Sequence, residues 1–378
     1  MSQQFFETLV QKYPDYATLC KSLEDFKAKK LYFQLTSEAE NFVNDPFLRN
    51  TGILFEFFDV FLKDIQKKIN PIKLTQIVIS ICKNNTDYQT CIKLVTSISE
   101  DVKADLGARC LCYSTIGIYQ LLAHNVPLAR DEIDKVDKLL EHEEGLEAVV
   151  YSQYHLLCTR FYEAKNDANE FFISGVKYLK FVDQSSLDLD EKTKFVTSLV
   201  IAALVGNKVY NFGEFLNNPI CEALTDNGRV SQLIELLRAI NNGNMKMYLK
   251  VQEDLSQLFS TEPSLIQNKN QIIEKASIVS LMELIFRSMT ENRTFSFTKI
   301  AEVTCVPLNS VEILVMRALS LGLVKGFISQ VQQEATFYWV LPRILDKTQF
   351  QFVSNKLNDW MQMTRKTLGV IESAGVQL

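Results

Sequence analysis

The chain has 378 residues, 47% of them apolar, with a formal net charge of −5 and a mean hydropathy near zero. That balance supports a sizeable core, and the length suggests about two or three domains. Acidic and basic residues are interspersed, which excludes a global basic field for nucleic acid or anionic lipid. No apolar run approaches the roughly 18 residues that span a bilayer, the longest being Leu199 to Val205, and no basic-then-apolar leader opens the chain. A cytoplasmic and nuclear protein with no membrane partner is therefore expected. Its eight cysteines (Cys20, Cys82, Cys91, Cys110, Cys112, Cys158, Cys221, Cys305) lack the spacing of a secreted disulfide framework and are expected to be reduced and buried.

From about Phe5 to Met289, apolar residues recur at three- and four-residue spacing, broken by Asn, Asp, Gly or Pro, the pattern of stacked helices. One apolar face, Leu54, Phe55, Phe57, Phe58, Phe61, Leu62 and Ile65, is too wide for a single neighbour and suits a helix packed on both sides. Asn70-Pro71 marks a helix start, because Asn caps well and Pro is tolerated in the first turn. Helical hairpins are expected to begin near Ala104, Ala148, Leu189 and Val230, a period of roughly 40 residues that fits loose tetratricopeptide-like repeats. The clearest pairs Tyr151 to Lys165 with Asn169 to Leu179 through the turn formers Asn166 and Asp167. The stretch Asp131 to Leu140 carries one stripe, Ile133, Val136, Leu139 and Leu140, and reads as a surface helix.

The period changes after Met289. Phe297 to Val303 is a short helix, and Thr304 to Leu308 a turn holding Pro307. Asn309 with Glu312 reads as a capping box opening a second helix. Its buried face would be Val311, Leu314, Val315, Ala318 and Leu319, and Gly322 supplies a left-handed stop. Two β-rich runs, Val324 to Ser329 and Ala335 to Val340, form a hairpin, so that Phe295 to Val340 reads as a winged helix. A last helix from about Lys347 to Ile371 spaces Phe350, Val353, Leu357, Trp360, Thr364, Leu368 and Ile371 by threes and fours, a coiled-coil-like seam. The fold class is mainly α: a helical-repeat array at 1–270, the winged helix at 271–345, and the terminal helix at 346–378.

The inventory for chemistry is thin. His124, His142 and His155 are the only histidines, and none forms a metal-ligand pair. His142 among Glu141, Glu143 and Glu144 reads as a solvated helix end, and His155 as a partnered helix residue. Cys110 and Cys112 form a lone pair two apart, facing different sides of a helix, which suits core packing. Asp188, Asp190 and Glu191 precede a helix and stabilise its dipole. No nucleophile elbow or phosphate-binding loop occurs. No catalytic, metal or cofactor-binding residue is expected, no cofactor is required, and the chain is not expected to be an enzyme. The outward side of the second winged-helix helix offers Ser310, Glu312, Arg317 and Ser320, and the wing carries Glu334 without Arg or Lys, so nucleic acid is a poor partner.

Protein partners remain. Phe327 and Tyr338 on the hairpin, with Phe350, Val353, Leu357, Trp360, Leu368 and Ile371 on the last helix, are the expected interface. A hairpin edge can pair with another subunit or stay solvated, and the seam can fold back on the winged helix or join helices of other chains; both choices stay open.

A helical-repeat array running into a winged helix and a terminal helix resembles the PCI-domain family, named for the proteasome lid, the signalosome and eukaryotic initiation factor three. The stretches Leu314 to Gly326 (LVMRALSLGLVKG), Tyr210 to Ile220 (YNFGEFLNNPI) and Asn241 to Met245 (NNGNM), with Asn70-Pro71 after its Phe-rich helix, are similar to the lid branch of that family. The likeness covers roughly Leu31 to Trp360 and is densest from Tyr210 onward. It implies a non-catalytic scaffold of the proteasome lid serving ubiquitin-dependent degradation, in a hetero-oligomer with other PCI subunits, the lid deubiquitinase module and the ubiquitin-receptor subunit. The alternatives are a PCI scaffold of the signalosome or initiation factor three, or a winged-helix nucleic-acid binder.

Overall fold

The computed structural model describes residues 2–13, 16–45, 48, 53–83, 85, 87–141, 145–183, 188–224, 228–254, 263–288, 293–344 and 347–375. The chain divides into two compact units, Met1–Asp183 and Gln184–Leu378. The first is helical: α1 (Ser2–Lys12), α2 (Ala17–Ala28), α3 (Tyr32–Asn44), α4 (Ile53–Phe57), α5 (Pro71–Cys82), α6 (Tyr88–Asp101), α7 (Leu106–Leu122), α8 (Val126–Leu140), α9 (Ala148–Lys165) and α10 (Ala168–Phe181).

Asn and Asp cap four of these helices. The Asn70 side chain accepts from the Ile72 N–H at 2.9 Å, with Pro71 in the first turn, and Asp87, Asp105 and Asp167 cap α6, α7 and α10 in the same way. Asn166 ends α9 in the left-handed conformation at φ 56°, so the expected hairpin turn is present residue for residue. The wide phenylalanine face is central to the core: Phe57 packs against Phe42 at 4.8 Å and Phe61 at 5.3 Å between ring centroids, and Phe6 meets Phe61 at 5.2 Å. That stretch is not one regular helix. After α4 it widens into a π-helical segment, Phe58–Leu62, and then a short 3₁₀ turn, Gln66–Lys68, keeping Leu54, Phe57, Phe58, Phe61, Leu62 and Ile65 buried. Helix α7 packs on α5, α6, α8 and α9. Its Cys110 and Cys112 fall in different apolar clusters, one with Val136 and Val150, the other with Tyr119 and Ile116.

The second unit holds α11 (Leu189–Val205), the short α12 (Gly213–Leu216) and α13 (Pro219–Ala223), α14 (Gly228–Asn241), α15 (Met245–Asp254), α16 (Pro263–Gln267) and α17 (Lys269–Arg287). The third expected hairpin thus begins at Leu189, but its second arm is broken into two short helices. Asn218 and Pro219 start a fresh helix there, the Asn218 side chain accepting from the Ile220 N–H at 3.1 Å. Next come β1 (Arg293–Ser296), α18 (Phe297–Thr304), α19 (Leu308–Ser320), β2 (Val324–Ser329), β3 (Glu334–Val340) and α20 (Lys347–Gly375).

The expected hairpin is one side of a three-stranded antiparallel sheet of order β1-β3-β2, so β3 is central and β2 an edge. Strand β1 has only Phe295 as an apolar signal, too little for a strand to be read from sequence. Helix α19 begins at Leu308 with Pro307 at its N-cap position and no side-chain cap; Glu312 instead accepts a bond from Gln330 Nε2 at 3.4 Å. The capping box is therefore absent. Of its expected core stripe Val311, Leu314, Val315 and Ala318 are buried, while Leu319 is half-buried. Gly322, at φ 69°, closes it through bonds from its own N–H to Leu319 O and from Leu323 N to Ala318 O.

No single described helix is long and apolar enough to cross a membrane. The pair α18 and α19 is apolar enough together, but it is bent by 86°, and both helices pack against α17. Seven cysteines are buried, whereas Cys305 is exposed, ending α18 in a left-handed conformation. Helices over repeats, then a winged helix and a long terminal helix, make this the PCI architecture.

Candidate protein-interaction surfaces

Helix α20 runs for 29 residues, and its seam is bare. Phe350 is 65% exposed and Trp360 70%, and Leu357, Leu368 and Ile371 are exposed beside them. Val353 is half-buried, because it lines a cleft of about 440 Å³ with Phe286, Arg293, Tyr338, Trp339 and Arg343. Of the expected interface residues, the structure therefore brings Tyr338 and Val353 to one cleft. At helical spacing Met361 joins the seam, while Met363 and Val370 fall on the opposite side, all three exposed.

Phe327 lies on the edge strand β2 and Tyr338 on the central strand β3. Phe327 pairs across the sheet with Thr336, two residues before Tyr338, so both rings share the outward face. Tyr338 is 68% exposed, and Phe327 is exposed as well. Thr336 also meets Thr294 of β1, hydroxyl to hydroxyl, at 2.9 Å.

The outward side of α19 differs from its sequence reading. Leu308, Ile313 and Met316 are exposed there, making the face apolar as well as weakly charged. The signal was available, since Ile313 and Met316 stand three apart, opposite the Val311-Leu314-Val315-Ala318 stripe. The two cations nearby are engaged: Arg317 Nε pairs with Glu274 at 2.9 Å, and Lys325 Nζ lies 4.9 Å from the Trp339 ring centre. Such a face gives a phosphate backbone little to bind.

The buried groups that could do chemistry are insulated. Burial pushes the thiols of Cys20, Cys112 and Cys158 up to about 11 and that of Cys221 to about 12, leaving them protonated and poor nucleophiles. Burial, aided by Lys177 and Lys180, drives His155 down to about 4, and its neutral ring stacks on Phe181 at 5.8 Å. Among the described residues no group of three or more His, Cys, Asp and Glu could hold a metal ion. His142 and its neighbours Glu143 and Glu144 lie outside the described residues. Asp188 stands at the N-cap position of α11 without a side-chain bond, and Asp190 and Glu191 occupy its first turn.

A family model described as PSD13 N-terminal repeats matches residues 19–237. The 26S proteasome non-ATPase regulatory subunit 13 of Dictyostelium discoideum is 32% identical over 378 residues, spanning 99% of this chain and 98% of that protein. The 26S proteasome regulatory subunit RPN9 of Saccharomyces cerevisiae is 29% identical over 96% of this chain and 94% of its own length. Eukaryotic translation initiation factor 3 subunit M of Coccidioides immitis is 23% identical, over 52% of this chain and 41% of its own. Full-length likeness runs to the proteasome subunits, and the chain belongs to the family of 26S proteasome non-ATPase regulatory subunit 13.

Proposed function

We propose that the chain is a non-catalytic structural subunit of the lid of the 26S proteasome regulatory particle, scaffolding its assembly for ubiquitin-dependent protein degradation. The observation that carries this reading is the bare seam of α20. A helix with Phe350, Leu357, Trp360, Leu368 and Ile371 in water has an unfilled packing requirement, and burying each aliphatic or phenyl side chain contributes about 1.5–3 kcal/mol. Full-length relatives named as 26S proteasome regulatory subunits support the choice of assembly. The initiation-factor alternative has a match over only half of the chain.

On this reading α20, within 346–378, joins a bundle with helices of other lid subunits, and the winged helix, within 271–345, docks against neighbouring PCI subunits through the Phe327 and Tyr338 face. The helical part, 1–270, extends toward the ubiquitin-receptor subunit, with the lid deubiquitinase module nearby. The assembly is a hetero-oligomer of the cytoplasm and nucleus, without nucleic acid, membrane or cofactor. Deleting Lys347 to Leu378 tests it: the truncated chain should stay folded yet fail to co-migrate with a large complex. Unchanged co-migration would overturn the assignment.

A further inference from the structure

Two stretches that set this sequence apart, Tyr210 to Ile220 and Asn241 to Met245, lie far from the seam in sequence and have no part in the surfaces above. Both converge on the short segment Leu341–Ile344, which leaves β3 and ends three residues before α20 begins. This segment has no regular secondary structure, so its backbone depends on outside partners. It has four. The Leu341 N–H donates to Leu323 O at 2.8 Å. Arg343 Nη1 donates to Asn241 O at 3.1 Å, and its Nη2 pairs with Glu283 Oε2. The Ile344 N–H reaches Asn211 Oδ1 at 3.4 Å.

The socket is shaped for the segment. Glu283 is held from its other side by Arg287 Nε at 2.7 Å. Gly213 lies so close that an added Cβ would stand 2.5 Å from Ile344 O, and a Cβ on Gly243, itself at φ 65°, would stand 2.8 Å from Glu283 Cβ. Any side chain at Gly213 would therefore displace the Ile344 carbonyl. The Arg343 and Glu283 side chains are 8% and 5% exposed. A pair so deeply buried recovers little net stability after desolvation, but it enforces one arrangement, because either charge left alone is costly.

We propose that Leu341–Ile344 is a latch that fixes the root of α20 to α14, α17 and the segment around Asn211, with Arg343 as its positioning residue. Beyond Val353 the described apolar residues of α20 are exposed, so this root, with the Val353 cleft beside it, is what holds the interaction helix in place. A helix with a fixed root loses less freedom on binding than one on a free linker, and so binds more tightly at the same contact surface. That consequence for assembly rests on the function proposed above; the latch itself does not.

The test uses the full chain, alone and in the complex. Arg343→Met with Glu283→Gln removes the buried charge pair, and Asn211→Ala removes only the Ile344 anchor, so a folded variant remains even where the first is too disruptive. In the isolated protein, amide exchange across Leu341 to Phe350 should accelerate about tenfold or more, with helices that do not touch the latch, such as α7 and α9, unchanged. Unchanged exchange in a folded variant would overturn the latch. Incorporation into the complex should fall in the same variants. If exchange accelerates but the chain lacking Lys347 to Leu378 still incorporates normally, the latch stands and the assembly role of α20 fails.

Discussion

The two longest helices of the second unit, α17 and α20, stand at opposite extremes. In α17 eleven of nineteen residues are buried, among them the polar Lys275, Ser277, Ser280 and Glu283. Along α20 no residue of known burial is buried. The difference shows what a helix is packed for. Helix α17 is enclosed by α11, α14, α15, α18, α19 and β3, so even its polar residues must be matched. Ser280 Oγ donates to Gly243 O at 3.0 Å, and Lys275 Nζ donates to Ala203 O and, at 2.6 Å, to Gly206 O, at the end of α11. The narrow stripe of α20 has such neighbours only at Val353, and the exposure of its other apolar residues is what supports the proposed packing against another chain.

The largest expected effect breaks this comparison from the α17 side. Leu281→Ala empties a fully buried position and should cost about 2–5 kcal/mol in denaturant unfolding, whereas changes along the seam should stay within about 0.5 kcal/mol. Equal losses at both helices would remove the distinction.

A pH scan sharpens it. Burial drives the Lys275 ammonium down to about 7, from an ordinary value of about 10.4. Between those values the unfolded chain holds the proton and the folded chain releases it, so stability should rise with pH from about 7 to about 10, by at most about 1.4 kcal/mol per unit. Below pH 7 both states are protonated and the gain is absent. The faces of Tyr210 and Phe212, 5.4 and 5.1 Å from Nζ, favour the ammonium and reduce the slope. Urea midpoints at pH 7 and pH 9 should diverge in the native chain and converge in Lys275→Met, whereas a seam variant should keep the native slope.

Much of the fold follows from local pattern. Asn70-Pro71, the Asn166-Asp167 turn, the Val311 to Ala318 stripe and the α20 seam are each set by neighbours a few residues away, which periodicity and capping rules capture. What escaped depends on partners distant in sequence. Strand β1 is a strand because Thr294 and Thr336, far apart in the chain, pair across the sheet. The π-helical widening at Phe58 lies within the cluster in which Phe6 and Phe57 pack on Phe61 and Phe42 packs on Phe57, and Pro307 opens α19 where Asn309 was expected from its capping-box spacing to Glu312. The latch was invisible for the same reason, since Arg343 meets Glu283, Asn241 and Leu341 meets Leu323 through contacts that no spacing rule encodes. Phe350, Leu357 and Trp360 were legible as members of a three-and-four spaced stripe, and Phe327 and Tyr338 as aromatic residues of the hairpin; all five are exposed.

The most direct test of the account pairs Leu357→Asp with Trp360→Asp and purifies complexes natively through a tag on this chain. Thermal unfolding should match the unaltered protein, since both side chains are already in water. Mass spectrometry should find the other regulatory-particle subunits with the unaltered chain and none of them with the folded variant. Recovery of the same subunits with the variant would contradict the claim that the bare seam of α20 is the assembly surface.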